Sequence, residues 1–384
     1  MEERTRLIRQ ATRRTGAAAR PLNPPMERAT TLLMPDAAAL YDAERGPLYG
    51  IDGLGVHAAL REALAELEGA SEVALLPTGL AAVAVAVMAA AGAGDEVLAA
   101  DALYGPTRRL LDRTLKRFGI AVRYYPPRAS AEEVLALAGE RTRLILLESP
   151  GSLTFEVQDV PAIAGLARER GIATLADNSW AAGVFFKPLT RGVDLSVQAL
   201  SKYAGGAADV FMGSVATSDA ATARRVRGVV EDMGWYVSPD DAYLMLRGVR
   251  TLPVRLREHE RSALQVARWL EAQPEVAAVL HPALPSSPDH ALWRRDFTGS
   301  SGLFGVVLRP GRTGAAEAVL DTLELFGLGF SWGGYESLAI VSRPGVRTHG
   351  SGPEGPLLRL HVGLEAPEDL IADLRRGLDV YARA

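Results

Sequence analysis

Short apolar runs alternate with segments of helical periodicity from residue 56 to residue 216. The runs are bounded by Gly, Pro or polar residues, a pattern typical of buried strands, and apolar residues recur every three or four positions between them. Strands separated by helices in this way indicate a mostly parallel sheet with helices on both faces. The predicted strands are Val73–Pro77, Glu96–Ala100, Ala121–Tyr125, Arg143–Leu147 and Ala173–Ala176, and the predicted helices are Val56–Glu68, one ending near Ala91, Pro106–Phe118, Ala131–Ala138 and Pro161–Arg170.

The pattern changes after Gly234, which predicts a smaller C-terminal α/β domain whose sheet is antiparallel in part. We expect an extended N-terminal segment over residues 1–50, a large domain over 51–240, and a C-terminal domain over 241–384 that starts with a long linking helix. The predicted elements of this last part are the helix Ala242–Ala272, the strand Val276–Leu280, the strand Leu303–Leu308, the helix Gly314–Leu325, the strand Leu357–Val362 and the helix Pro367–Tyr381.

Composition excludes several classes of protein. With 48% hydrophobic residues in 384, the chain is too apolar to be disordered, and a net charge of −4 argues against a nucleic-acid partner. The absence of cysteine excludes thiolate nucleophiles, disulfides and Cys-ligated zinc, and no two of the six histidines have the i, i+4 spacing of a metal site. The apolar stretch Val73 to Ala93 is interrupted by Pro77-Thr78-Gly79, so we expect no membrane span and a cytoplasmic location.

Four candidate functional groups follow predicted strands of the large domain. Asp177 and Tyr104 each come just after a strand, Lys202 follows the segment Leu195–Ala199, and Gly79 lies between a strand and a helix. Only three of the 42 basic residues are lysine, the one cationic side chain of the two that can lose its proton and attack a carbonyl. Together these groups meet the needs of pyridoxal 5′-phosphate (PLP). An amine can hold its aldehyde, a carboxylate can keep its pyridine nitrogen protonated, a helix N-terminus can bind its phosphate, and an aromatic ring can stack on its ring.

The chain also resembles the Cys/Met-metabolism family of PLP-dependent enzymes, which has the fold of aspartate aminotransferase. The strings that carry the resemblance cover roughly residues 45–380 in the expected order. They include LESPGSLTFEVQDVPAI (147–163), ADNSWAAGVFFKPL (176–189), ALSKY (199–203), SWGGYESL (331–338) and LRLHVGLE (358–365).

The resemblance implies a role for each matching residue. Lys202 is expected to form the Schiff base and to shuttle protons, Asp177 to pair with the pyridine nitrogen, and Tyr104 to stack on the ring. The implied phosphate ligands are Gly79, Leu80 and Ser201 with Tyr49 of a neighbouring subunit, and the implied ligands of the substrate carboxylate are Ser331, Trp332 and Arg359.

The sequence departs from the family pattern near the N-terminus and after the lysine. Ile51, followed by Asp52, stands where relatives place an arginine for the partner's phosphate, and Arg20 and Arg28 are candidates to compensate. Ala207 and Ala208 replace a His-Ser pair. These changes concern cofactor affinity or substrate choice more than the class of reaction.

The resemblance further implies a carbon–sulfur lyase of methionine biosynthesis that cleaves L-cystathionine by α,β-elimination to homocysteine, pyruvate and ammonia. Leu48 and Phe330 are apolar where relatives with γ-chemistry tend to carry acidic residues. Alternatives are γ-elimination, β-elimination from a wider range of cysteine S-conjugates, a side racemase activity, and a non-catalytic binding protein of the same fold. Tyr49 acting on a neighbour requires at least a dimer, and the family implies a homotetramer built as a dimer of dimers.

Overall fold

The computed structural model describes residues 2–9, 21–42, 46–343, 347–350 and 352–383. Its strands form a seven-stranded and a five-stranded sheet, each with its own cluster of buried apolar side chains. This is the predicted α/β fold with a large mostly parallel sheet and a smaller C-terminal layer. The division at residue 240 itself stays a prediction.

The large sheet has the order β1-β7-β6-β5-β4-β2-β3, and its central strands are parallel. Only β7 runs antiparallel to both of its neighbours. The parallel strands therefore end at one common edge, which is where such sheets bind ligands. The strands are β1 (Glu72–Leu76), β2 (Glu96–Ala100), β3 (Ala121–Tyr125), β4 (Thr142–Glu148), β5 (Ala173–Asp177), β6 (Leu195–Gln198) and β7 (Gly213–Thr217).

The helices of this part of the chain cover the sheet. α4 is composed almost entirely of Ala and Val and is buried along most of its length, as expected for a helix that is apolar on every side. α5 continues as a π-helical turn over Leu110–Leu115. The helices are α1 (Glu3–Arg9), α2 (Ala37–Leu40), α3 (Gly55–Glu68), α4 (Gly79–Ala90), α5 (Gly105–Arg109), α6 (Ala131–Ala136), α7 (Val160–Glu169) and α8 (Ala220–Asp232).

The second sheet has the order β10-β11-β12-β9-β8 and is antiparallel except for the short pair β10–β11. None of the described helices has the length and apolar character needed to cross a membrane. The elements are α9 (Pro239–Val249), α10 (Leu252–Glu271), β8 (Val276–Leu280), α11 (His290–Asp296), β9 (Leu303–Leu308), α12 (Ala315–Thr322), β10 (Gly327–Leu328), β11 (Leu338–Ser342), β12 (Leu357–His361) and α13 (Pro367–Arg383).

The long linking helix predicted over Ala242–Ala272 is wrong, because the structure has two helices, α9 and α10, with a break at Arg250 and Thr251. Pro253 explains the break. It has no N–H to donate and its ring clashes with the carbonyl group four residues earlier, but it fits the first turn of a new helix.

Candidate active site

The carboxyl edge of the large sheet brings together the side chains predicted from strand ends. Asp177 is the last residue of β5, and Lys202 and Tyr104 each follow the end of a strand, β6 and β2, by four residues. Arg359 reaches the same region from β12 of the second sheet. The charges of Asp177 and Arg359 both act on Lys202 and on Tyr104, which places the four groups in one site.

The amine of Lys202 is held in place by Ser331 and Trp332, which precede β11 of the second sheet. Its Nζ donates a hydrogen bond of 2.6 Å to Ser331 Oγ and lies 5.4 Å from the centre of the Trp332 ring. Burial, reinforced by the charge of Arg359, lowers the pKa of Lys202 to about 8, although Asp177 opposes the shift. A large fraction of the amine is therefore unprotonated at mildly alkaline pH and able to act as a nucleophile or a base.

Hydrogen bonds to one carboxylate oxygen orient Asp177, and its other oxygen is available to bind a ligand. Its Oδ1 accepts from the backbone N–H of Ser179 at 3.0 Å and from the Ser179 hydroxyl at 2.6 Å. That hydroxyl accepts in turn from the N–H of Ala199 at 2.7 Å, which links Asp177 to the segment that carries Lys202. Burial raises the pKa of Asp177, while the bonds from Ser179 and the charge of Lys202 oppose the rise. No described residue donates to Oδ2, so this oxygen is free to pair with a protonated ring nitrogen.

Glu148 is a site residue that the sequence analysis missed. The register of β4 and β5 places it directly opposite Asp177. It accepts a 2.6 Å hydrogen bond from the backbone N–H of Tyr104 and another from the Ser152 hydroxyl. Burial, and then the charge of Asp177, raise the pKa of Glu148 well above that of an exposed carboxyl. The signal was present in the sequence, because Glu148 directly follows a predicted strand just as Asp177 does.

The N-terminus of α4 forms a cradle beside the lysine segment. The Thr78 hydroxyl caps the helix by accepting from Ala81 N–H at 3.0 Å. A Cβ atom on Gly79 would lie 2.5 Å from the Cβ and 2.9 Å from the Cα of Ala199, so only glycine lets α4 begin this close. The Ser201 hydroxyl is fixed nearby by the backbone N–H of Met212 at 2.8 Å. Free N–H groups at a helix start, a glycine and a hydroxyl fit a phosphate group.

The predicted carboxylate ligands approach Lys202 from the second sheet. Arg359 Nη2 donates to the backbone oxygen of Ser331 at 2.8 Å, and burial lowers the pKa of Arg359 to about 10. Ser331 has φ of +88°, an unusual conformation for a residue other than glycine. A Cβ on Gly333 would lie 2.7 Å from the backbone nitrogen of Tyr203, so the Ser331–Gly333 turn packs tightly on the lysine segment.

His361 is a second residue that the sequence analysis missed. It lies two positions after Arg359 on β12, and its Nε2 is 3.1 Å from Gly333 N and 3.0 Å from Gly334 O. Its ring is buried against Tyr203, with 5.8 Å between the ring centres. His361 therefore joins the strand of Arg359 to the turn that carries Ser331 and Trp332.

The predicted phosphate ligand from the N-terminal segment is not joined to this site within the chain. Tyr49 is 52% exposed, pairs with Thr31 and donates its N–H to Asp52 at 3.0 Å. Arg28, a candidate to replace the missing arginine, instead donates from Nε to Asp240 Oδ2 at 3.0 Å and forms an ion pair with that carboxylate. Arg20, the other candidate, lies outside the described residues.

The residues present fit PLP: a lysine amine with lowered pKa, a carboxylate oxygen with no donor among the described residues, and a glycine cradle at a helix start. Comparison with known proteins agrees. Residues 4–379 match the model of a family described as Cys/Met metabolism PLP-dependent enzyme. A putative cystathionine beta-lyase of Rhizobium johnstonii is 45% identical over 93% of this chain and 91% of that protein. The cystathionine beta-lyase of Bordetella avium is 43% identical over 95% and 93%, respectively.

A solved structure points the same way. The crystal structure of MetB from Corynebacterium glutamicum superposes with a TM-score of 0.91 and 29% identity, and it covers 99% of this chain and 98% of that one. The expected cofactor is therefore pyridoxal phosphate, and the chain belongs to the family of Cys/Met metabolism PLP-dependent enzymes.

Proposed function

We propose that this protein is a carbon–sulfur lyase that cleaves L-cystathionine, with water, to homocysteine, pyruvate and ammonia by α,β-elimination. The observation that carries the proposal is the convergence of the Lys202 amine, the Asp177 carboxylate and the Arg359 guanidinium at one edge of the sheet. The cystathionine lyases among its relatives support the choice of substrate.

We assign the cofactor contacts to residues whose surroundings suit them. Asp177 Oδ2 would pair with the ring nitrogen, the ring of Tyr104 would stack on one face, and the N–H groups of Gly79 and Leu80 would hold the phosphate with the Ser201 hydroxyl. When bound, PLP supplies an electron sink for the substrate Cα. Glu148 accepts a hydrogen bond from the backbone N–H of Tyr104, so it would fix the position of the stacking residue through the backbone.

Lys202 would move the proton on which elimination depends. Its lowered pKa leaves Nζ able to take the Cα proton, and the sulfur then departs as a thiolate. Arg359 would hold the α-carboxylate in a bidentate pair, with Ser331 and Trp332 beside it, and so fix which Cα bond faces the amine. The 2.6 Å bond from Nζ to Ser331 Oγ supports this arrangement, because it joins the proposed base to a residue of the proposed carboxylate pocket.

Assay of both keto acids tests the reaction class. Purified protein given L-cystathionine should form pyruvate, whereas a γ-lyase would form 2-oxobutyrate. Leu48 and Phe330 favour the first outcome, because they are apolar where relatives with γ-chemistry tend to carry acidic residues. Predominant 2-oxobutyrate would refute the proposal.

Lysine substitution tests the site. Lys202→Ala should abolish pyruvate formation and the visible band that borohydride bleaches in the wild type. Lys116→Ala is the matched control, because Lys116 is exposed on the helix that follows Tyr104. A Lys202→Ala protein that keeps substantial activity, or a wild type without a visible band, would contradict the assignment and favour a non-catalytic binding protein.

We further propose that the enzyme is a homotetramer in which Tyr49 reaches the phosphate of a neighbouring subunit. Large apolar side chains that are exposed in the single chain support an oligomer: Leu33, Tyr41 and Phe211 are 94%, 84% and 78% exposed. Light scattering of the holoenzyme measures its mass, and a monomer would refute this part. A cytoplasmic location stays a prediction.

A further inference from the structure

Two side chains of β12 hold the backbone of the Ser331–Gly334 turn. Arg359 donates from Nη2 to the oxygen of the first residue at 2.8 Å, and His361 Nε2 lies 3.1 Å from Gly333 N and 3.0 Å from Gly334 O. Arg359 and His361 are two positions apart on the strand, so both side chains point to the same face and reach the same turn. No other described residue makes a hydrogen bond to the backbone of these four positions.

The ring of His361 is buried and uncharged. Its centre lies 5.8 Å from that of the Tyr203 ring and 5.3 Å from that of the His259 ring. Burial, and then the neighbouring His259, lower the pKa of His361 to about 3, so the ring is neutral at neutral pH. A neutral ring nitrogen either accepts or donates, so in each tautomer Nε2 bonds one of the two backbone groups of the turn. Nδ1 is buried without a partner among the described residues, so the turn alone receives hydrogen bonds from this ring.

The turn that His361 holds lies directly on the lysine segment. A Cβ on Gly333 would be 2.8 Å from the carbonyl carbon and 3.0 Å from the Cα of Lys202, so the two backbones are in contact. Ser331 has φ of +88°, a conformation that persists in a residue other than glycine only where the surroundings impose it. Arg359 has a proposed task on the substrate, whereas the ring of His361 has no other task among the described residues.

We propose that His361 is a positioning residue for the substrate α-carboxylate, because it holds the Ser331–Gly334 turn against Lys202 before the carboxylate arrives. The proposal deepens the proposed function, on which the assignment of the α-carboxylate to Ser331, Trp332 and Arg359 rests. A pocket that is already formed loses less conformational freedom when the ligand binds. Loss of the bond from His361 to the turn should therefore weaken ligands that carry an α-carboxylate and spare those that lack one.

Binding of two amines that cannot be cleaved tests the proposal on the holoenzyme. L-Norleucine has an α-carboxylate and no sulfur, and pentylamine is the same molecule without the carboxylate. His361→Phe keeps an aromatic ring and removes both ring nitrogens, so we expect calorimetric binding of norleucine to weaken about tenfold, or about 1.4 kcal/mol, and pentylamine to stay unchanged. His361→Gln places an amide oxygen and an amide nitrogen near the position of Nε2, so it should restore most of the affinity for norleucine.

His281→Phe is the matched control. His281 is also buried, and its Nδ1 accepts from the N–H of Ala283 at 3.2 Å while its Nε2 has no partner among the described residues. It follows the end of β8 and packs beside Phe304, away from the turn. The control should therefore lose a comparable buried hydrogen bond and keep the affinity of the wild type for norleucine.

Equal losses in His361→Phe and His361→Gln would overturn the proposal, because the effect would then come from packing and not from the bond to the turn. Unchanged binding of norleucine by His361→Phe, equal weakening of pentylamine, or an equal effect of His281→Phe would overturn it as well. If His361→Phe does not fold, His361→Asn takes its place, since its amide is one methylene shorter and does not reach the turn. Neither ligand has a leaving group, so these results do not depend on lyase activity, and pyruvate formation from cystathionine by the wild type tests the proposed function separately.

Discussion

Gly79→Ala should weaken PLP binding by moving the start of α4. The new Cβ would lie 2.5 Å from the Cβ of Ala199, whereas carbon atoms in contact are normally about 3.5–4.0 Å apart. Relief of the clash requires a displacement of about 1 Å between the helix and the segment before Lys202. A hydrogen bond of about 2.9 Å is lost when stretched that far. Each bond to a charged group contributes about 1.5–3 kcal/mol, so we expect the dissociation constant to rise about 10- to 100-fold per bond lost.

Titration of the apoprotein with PLP, followed by quenching of tryptophan fluorescence, measures this constant. Gly228→Ala is the matched control, because Gly228 lies within α8 and a Cβ there would meet no atom within 4 Å. The control should keep the affinity of the wild type and gain about 0.8–1 kcal/mol of stability from the better helix former. A folded Gly79→Ala protein that binds PLP as tightly as the wild type would refute the phosphate cradle.

Three further predictions concern buried carboxyl groups. Glu148→Ala removes the acceptor for the Tyr104 N–H, so we expect loss of the visible circular dichroism of bound PLP and about tenfold lower kcat/KM. Glu148→Gln keeps an acceptor and should restore most of the circular dichroism. An equal loss in both variants would contradict this role of Glu148. Burial raises the pKa of Glu68 to about 7, so the stability of the wild type should fall as pH rises from about 4.5 through 7, a decline of up to about 3 kcal/mol that urea denaturation of Glu68→Gln should lack. Arg347 pairs with nearly buried Glu156 at 2.8 Å, so Arg347→Met should lower the free energy of unfolding by about 3–5 kcal/mol because it leaves the carboxylate unpaired. The double variant Arg347→Met/Glu156→Leu should lower it by much less. Equal shifts of the melting temperature in the two proteins would contradict this.

The sequence predicted several strands correctly but missed one in the interior of the large sheet. The predicted bounds of β2, β3, β8 and β9 agree with the structure, because short apolar runs between turn residues are a local signal. The interior strand β7 was missed, since Gly213–Thr217 mixes Gly, Ser and Thr with its two apolar residues and reads as a turn. It is nevertheless fully buried between β1 and β6, and tertiary contacts decide its conformation.

The site likewise has features that the local sequence predicts and features that depend on contacts between residues far apart in the sequence. A strand end predicts where a polar side chain lies, which is enough for Asp177 and would have been enough for Glu148. A strand end does not predict which charged side chains the fold brings together. Arg108 and Arg109 are the same residue type at adjacent positions, yet among the described residues only Arg108 meets a partner. Asp101 lies seven residues before it, and Thr348 comes to it from a distant part of the sequence. Pairing of this kind follows from the fold alone.

The replacement of the family's phosphate arginine by Ile51 changes how the phosphate must be held. Arg28 is already paired with Asp240, and Lys202 and Arg359 have other proposed roles. Within the described chain the phosphate would then meet neutral donors: the first N–H groups of α4 and the Ser201 hydroxyl. A helix N-terminus carries only about half a positive charge, and its effect falls off within the first turn. We therefore expect cofactor affinity in this protein to depend on how closely α4 approaches, which Gly79 permits and any side chain would prevent.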